Sequence, residues 1–200
     1  MSSFNDRLRA RSELMSAIHR SNVKVACAAL MQGADATSDN NRPIRVAAIR
    51  GNLDMIRLLV SAGADLHAAD DKVMGYACRE GNVPVVRYVL AQGVDLIQIG
   101  ERMLRDAILG YDEKPKENFE VIRLLVERQD FPREIDHLMA FCAHICTNAQ
   151  PLMRYFLEQG FSHEGNAMAQ SIHDEMQMSE TLSESNRSAP PSFIARRGAC

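Results

Sequence analysis

The sequence predicts an all-α helical solenoid of about five stacked helix-turn-helix repeats, and two observations predict it. Markers recur every 30 residues: Gly33-Ala34-Asp35, Gly63-Ala64-Asp65 and Gly93-Val94-Asp95 form one set, and Ala17, Ala47, Ala77 and Ala107 form another. Asn22, Asn52 and Asn82 keep the same register, and Asn118 and Asn148 resume it after a six-residue insertion. Between these markers the apolar residues fall at helical spacing, as in Met55, Ile56, Leu58 and Leu59. A fixed period of this length is the signature of a repeat array, in which short helix pairs bury a continuous core only by stacking.

Phe4 to Arg11 reads as a capping helix, because the end of a stack needs a polar outer face. Residues 1–11 are therefore assigned to a cap and residues 12–162 to the array. The second unit is the clearest. Pro43 suits the first turn of a helix, where its missing N–H has no partner to lose. Gly51 suits the left-handed residue that follows, and Asn52 is a good N-cap for the next helix. Gly63 ends that second helix, and Ala47 and Ala48 let neighbouring first helices approach closely. In the third unit Pro84 again sits just inside the second helix. The insertion, residues 110–118, carries Asp112, Glu113, Lys114, Lys116 and Glu117 and is expected as a polar surface loop. Residues 163–178 are expected as a C-terminal capping helix. Residues 179–200 are rich in Ser and Pro and are expected to be a disordered tail.

Arg42-Pro43-Ile44-Arg45-Val46-Ala47-Ala48, then Gly51-Asn52, Leu58-Leu59 and Gly63-Ala64-Asp65, resembles the ankyrin repeat pattern T-P-L-H-x-A-A, G-H or G-N, L-L and G-A-D. The resemblance runs from about Glu13 to Phe161 and is strongest from Asn41 to Asp95. Its 30-residue period is shorter than the family's usual period of about 33. That implies β-hairpin fingers truncated to tight turns, as in the divergent repeats of bacterial and large-virus proteins. Arg45, Gly75 and Arg105 stand where the family has its His, which removes the usual His network between repeats. The resemblance implies a non-catalytic module that binds a protein through its concave face, as an adaptor, inhibitor or effector in the cytoplasm or in a host cytosol.

On such an array the residues after the Ala pair point to the concave side. Here they are His19-Arg20, Ile49-Arg50, Arg79-Glu80 and Leu109-Gly110, with Tyr111 next, and Val46, Tyr76 and Asp106 fall on the same surface. Arg and Tyr are enriched at binding hot spots. Arg57, Arg87, Arg123 and Arg154 lie on the other helices and are expected to form a ladder with acids such as Asp54 and Glu120.

Composition limits the alternatives. The 200 residues are 46% apolar and 24% charged, with a net charge of −3. Residues 1–111 carry 14 basic and 12 acidic groups, and residues 112–200 carry 9 and 14. Neither part is the dense basic patch of a nucleic-acid binder. A nucleic-acid or nucleotide-binding inhibitor using Arg20, Arg50 and Arg79 stands as one alternative. No apolar run suggests a membrane span, and Arg7, Arg9 and Arg11 precede no apolar core of a signal peptide. Five cysteines in no disulfide framework read as reduced thiols. Cys78 and Cys27 are expected to be packed and Cys200 exposed. Cys142, His144 and Cys146, with His137 before them, could bind zinc or sense redox state. The same residues also fit the buried face of a helix. Met168, Met176 and Met178 fit a capping-helix stripe better than an adaptable binding face. No phosphate loop, H-E-x-x-H or G-x-S-x-G motif occurs, so no cofactor and no catalytic residue is expected. The free chain is expected to be a monomer.

Overall fold

The structure is a computed structural model that describes residues 4–132, 135, 137–164 and 166–188. Among these residues there are eleven helices and no strand. Five consecutive pairs follow the 30-residue register: α1 (Phe4–His19) with α2 (Val23–Met31), α3 (Ser38–Ile49) with α4 (Leu53–Ser61), α5 (Ala68–Arg79) with α6 (Val83–Ala91), α7 (Leu96–Leu109) with α8 (Pro115–Val126), and α9 (Leu138–Ile145) with α10 (Gln150–Glu158). A last helix, α11 (Ala167–Ser188), packs on α10. First helices lie side by side from α1 through α3, α5 and α7 to α9, and second helices α2, α4, α6 and α8 form the other layer. This is an ankyrin-like helical solenoid, as expected.

The two layers meet through a single core. Ala17, Ala47, Ala77 and Ala107 are at most 2% exposed, so their small side chains set the close approach of the first helices. The second helices supply Ile56, Leu59, Val86, Val89, Ile122, Leu125, Met153 and Phe156, all fully buried. Each such large side chain contributes about 1.5–3 kcal/mol on burial. Cys78 is buried as expected, whereas Cys27 is only half-buried, because it shares the outer slot of the second helix that Arg57 and Arg87 fill in the next units.

The glycine–asparagine turns do two jobs. Gly51 and Gly81 have φ of 66° and 65°, as required after a first helix. Asn22 and Asn52 accept hydrogen bonds from Val25 N at 3.1 Å and Met55 N at 2.9 Å and so cap their own helices. Asn82 instead donates backwards to Ala48 O at 2.7 Å. Asn118, fully buried, brings its amide nitrogen to Cys78 O, Arg79 O and Ala107 O at 2.9, 3.1 and 2.9 Å. Helix C-termini leave carbonyls short of donors; Ala48 O and Cys78 O, each already bonded by the glycine N–H of its own turn, gain a second donor from the asparagine across the repeat boundary. A Cβ on Gly51 would overlap Asn82, and one on Gly81 would overlap Asn118.

Short turns replace hairpins between units. At the start of α3, Asp39, Asn40 and Asn41 have φ of 53°, 53° and 57°, and at the start of α5, Ala69, Asp70 and Asp71 have φ of 57°, 56° and 55°. A left-handed stretch costs an L-residue about 1–2 kcal/mol, and Asn and Asp tolerate it best. Donors from elsewhere hold these turns: Arg45 donates to Asp39 O at 3.1 Å, Arg102 to Asp70 O at 2.7 Å, and Asp65 N to Asn41 Oδ1 at 2.7 Å.

Four expected boundaries change. The cap of residues 1–11 is not separate, because α1 runs through Arg11 with no Gly or Pro to break it. The expected loop 110–118 is a short turn followed by helix, since Pro115 starts α8 and Asn118 lies inside it. The capping helix expected at 163–178 begins at Ala167, after Asn166 accepts from Ala169 N at 2.9 Å, and continues to Ser188. Residues 179–188 of the expected disordered tail are therefore helical. The rest of that tail, residues 189–200 with Cys200, lies outside the described residues.

Candidate functional site

The face of the first-helix layer is built from the last turns of α1, α3, α5 and α7. Ile49, Tyr76, Arg79, Glu80 and Leu109 come together there with Gly110 and Glu113 around a groove of about 210 Å³. Ile49 and Leu109 are each 39% exposed, which is enough to offer apolar surface to a partner. Val46 and Tyr111 are half-buried and pack against the core, so they support the groove more than they line it. Burial, with Cys146 and Asp112 nearby, pushes the Tyr111 phenol up. His19 is not part of this groove. It lines a second one, of about 430 Å³, with Leu8, Arg11, Ser12, Met15, Asp39 and Arg42.

Charges on this face divide into engaged and unengaged groups. Glu80 is held by Lys114, whose Nζ lies 2.8 Å from Oε2 and also donates to Glu80 O at 3.0 Å. Asp39 pairs with Arg11 and stands 4.0 Å from Arg42. Asp106 sits over Gly75, with Oδ2 2.8 Å from where a Cβ would stand. Burial holds its carboxyl above the ordinary carboxylate range against the pull of Arg102 and Arg79. Gly75 occupies the family's His slot, and this carboxylate fills the space the side chain would take. Arg20 and Arg50 are exposed and have no ion-pair partner among the described residues, and Arg79, also exposed, attracts the Asp106 carboxylate without closing an ion pair.

The second-helix layer carries the expected arginine ladder. Arg57 stands 3.9 Å from Asp54 and 5.6 Å from the centroid of the Tyr88 ring in the next unit. Arg87 reaches across to Glu120 at 2.9 Å, Arg123 reaches Glu120 at 2.6 Å, and Arg154 reaches Glu175 of α11 at 3.6 Å.

The cysteine cluster has the geometry of a core face. Cys142 and Cys146 are buried on α9 and at its end, while His144 and His137 are exposed. Burial, with Cys146 next to it, pushes the Cys142 thiol up, and burial with Asp112 nearby pushes Cys146 to about 11. Both sulfurs lie in the core face, and Cys146 Sγ donates to Ile108 O at 3.9 Å. No group of three or more His, Cys, Asp or Glu among the described residues is placed to hold a metal ion. No helix among them is long and apolar enough to cross a membrane. Met176 is half-buried against the core, as a capping stripe requires, whereas Met168 and Met178 are 44% and 63% exposed.

Sequence reasoning placed Gly110 on this face, but it did not find Glu113 as part of the groove or Lys114 as the partner of Glu80. They fall in the insertion, whose residues have no counterpart in the 30-residue register. It also did not find the second groove at α1 and α3. The exposed Leu8 among Arg7, Arg9 and Arg11 was the available signal.

Residues 44–90, spanning the second and third units, match the family model for ankyrin repeats (many copies). None of the curated proteins matches the chain.

Proposed function

From a chain that carries ankyrin repeats, which are in general protein–protein interaction modules and typically non-catalytic, we propose that the first-helix face of units one to four binds a protein partner. The single observation behind this reading is the groove at Ile49, Tyr76 and Leu109 with the exposed Arg79 on its lining. A partly apolar groove next to available guanidinium groups is what a binding hot spot needs. The protein acts by occupying its partner, as an adaptor or inhibitor. The outer ladder serves stability, because its charges already have partners.

Affinity capture at low and high salt tests this reading, with the wild type compared with a variant carrying Arg20→Glu, Arg50→Glu and Arg79→Glu. A control carries Arg57→Glu and Arg87→Glu, and circular dichroism checks all three folds. A protein retained by the wild type and the control but lost by the face variant is the expected result. Capture by all three moves the interface elsewhere. Capture of nucleic acid alone, released by salt, makes the protein-binding reading wrong.

A further inference from the structure

One slot of the second helices is buried in every inner unit and open in the first. Val25 on α2 has the place that Met55 has on α4, Val85 on α6 and Val121 on α8. The last three are fully buried, whereas Val25 is 44% exposed. Ala28, one turn later on the same stripe, is exposed where Leu58 and Tyr88 are half-buried. On the first helices Glu13 is half-buried where Pro43, Val73 and Met103 are buried. Met103 shows what this slot faces: its Cε lies 3.8 Å from where a Cβ on Gly75, in the preceding unit, would stand. In the inner units the preceding helix pair covers these slots, and no described residue covers them in the first.

The other end of the stack is closed, because α11 packs on α10. A second copy therefore finds no complementary open end for head-to-tail stacking, and the flank can meet only its own kind. Its charges suit that. Asp6, Arg9 and Glu13 of α1, with Gln32 after α2, line a groove of about 410 Å³ on this flank. Arg9 and Glu13 stand 3.2 Å apart, with side chains 82% and 38% exposed, so both signs remain open to a neighbour. A two-fold contact presents the same patch twice and so offers each of them its opposite. The 16 residues of α1 span about 24 Å, and two packed helices are about 20 Å wide. That gives about 450 Å² per copy, against about 800 Å² in a standard interface. A contact of this size is weak, with a Kd of about 10–100 µM.

We propose that the open flank of the first unit binds the same flank of a second copy of this chain about a two-fold axis. Val25 and Ala28 of both copies form the apolar centre, and Arg9 of each copy pairs with Glu13 of the other. The joined array carries two first-helix faces, and the monomer expected from the sequence is its dilute form.

Sedimentation velocity of the full chain over about 1–500 µM tests this, since that range brackets the Kd. The expected result is a weight-average mass that rises from 22.3 kDa towards twice that value. Val25→Glu should raise the Kd about tenfold or more, because association would bury an unpaired carboxylate. Arg9→Glu and Glu13→Arg should each weaken self-association about tenfold, since each change acts twice across the axis. An equimolar mixture of these two variants should associate as tightly as the wild type, because each supplies the charge that the other lacks. Circular dichroism checks that every variant keeps its helix content. A mass that stays at 22.3 kDa throughout overturns the proposal. So does association that survives Val25→Glu and is lost with Ile49→Glu, which would place the contact on the first-helix face. Growth beyond two copies overturns the two-fold closure. A mixture no tighter than either variant alone overturns the pairing of Arg9 with Glu13.

Discussion

On the second-helix layer, Arg87 reaches Glu120 of the next unit, Arg154 reaches Glu175 of the last helix, and Arg57 lies over the Tyr88 ring. On the first-helix layer, Arg20, Arg50 and Arg79 stand at three helix ends without closing an ion pair among the described residues, and Arg79 only attracts the half-buried Asp106. The same residue type, repeated at nearly the same period, serves stability on one side and availability on the other. The difference comes from position. The outer arginines lie mid-helix, where an acid or aromatic ring of their own or the next unit comes within reach. The inner ones lie where chains turn and the nearby carboxylates, Glu80 and Asp39, are already occupied.

The comparison breaks most severely at the joint that fixes Arg79. A Cβ on Gly110 would overlap the Arg79 carbonyl, a backbone atom that cannot rotate away. Gly110→Ala should cost about 3 kcal/mol in chemical denaturation, the upper range for overpacking, and should weaken partner binding with it. Asn118→Ala should cost about 2 kcal/mol, because it takes a donor from the Arg79 and Ala107 carbonyls, while Cys78 O keeps Gly81 N. Asn22→Ala, which removes a cap at an exposed turn, should cost about 1 kcal/mol. Equal losses at Asn118 and Asn22 would show that the bond across the repeat boundary adds nothing. The outer ladder sharpens the contrast from the other side: Arg87→Ala should cost less than about 1 kcal/mol, less still in high salt, and should leave binding unchanged.

The smallest effect concerns Asp106. Its carboxyl is raised in the folded protein, so the folded state holds a proton that the unfolded state has released between the ordinary value of 3.8 and the raised one. Stability from this group is therefore full below that window and falls as pH rises through it. Asp106→Asn should raise the melting temperature slightly at pH 7, with the gain vanishing as pH drops below the window. A gain that persists at low pH would locate the effect in packing over Gly75.

Much of this was legible because repetition exposes itself in one sequence. Gly51, Asn52 and Gly63 sit in the conformations that their types announce, with φ of 66° at Gly51 and 91° at Gly63. The outer arginines and the acids Asp54 and Glu120 are legible as one ladder, and Arg57, Arg87 and Arg123 do meet these acids. What was not legible depends on contacts between units. Ala69 adopts a left-handed conformation that its type disfavours, because Arg102, more than thirty residues later, holds the carbonyl of the next residue. Asn118 shares the register of helix caps, but the insertion became an extra turn of α8, and its side chain reaches backwards into buried carbonyls instead. His19 shares the register of Ile49 yet faces another groove, since α1 begins the stack. Register therefore identifies slots, and the neighbouring unit decides what a slot touches.

Site-specific photocrosslinking in the cells where the protein works tests the central claim most directly. A benzophenone amino acid replaces Leu109 on the first-helix face or Ser61 at the end of α4. The account predicts a discrete protein adduct from position 109, absent from position 61 and lost when Arg50→Glu is added. Adducts from position 61 alone, or adducts from position 109 that ignore Arg50, would contradict it.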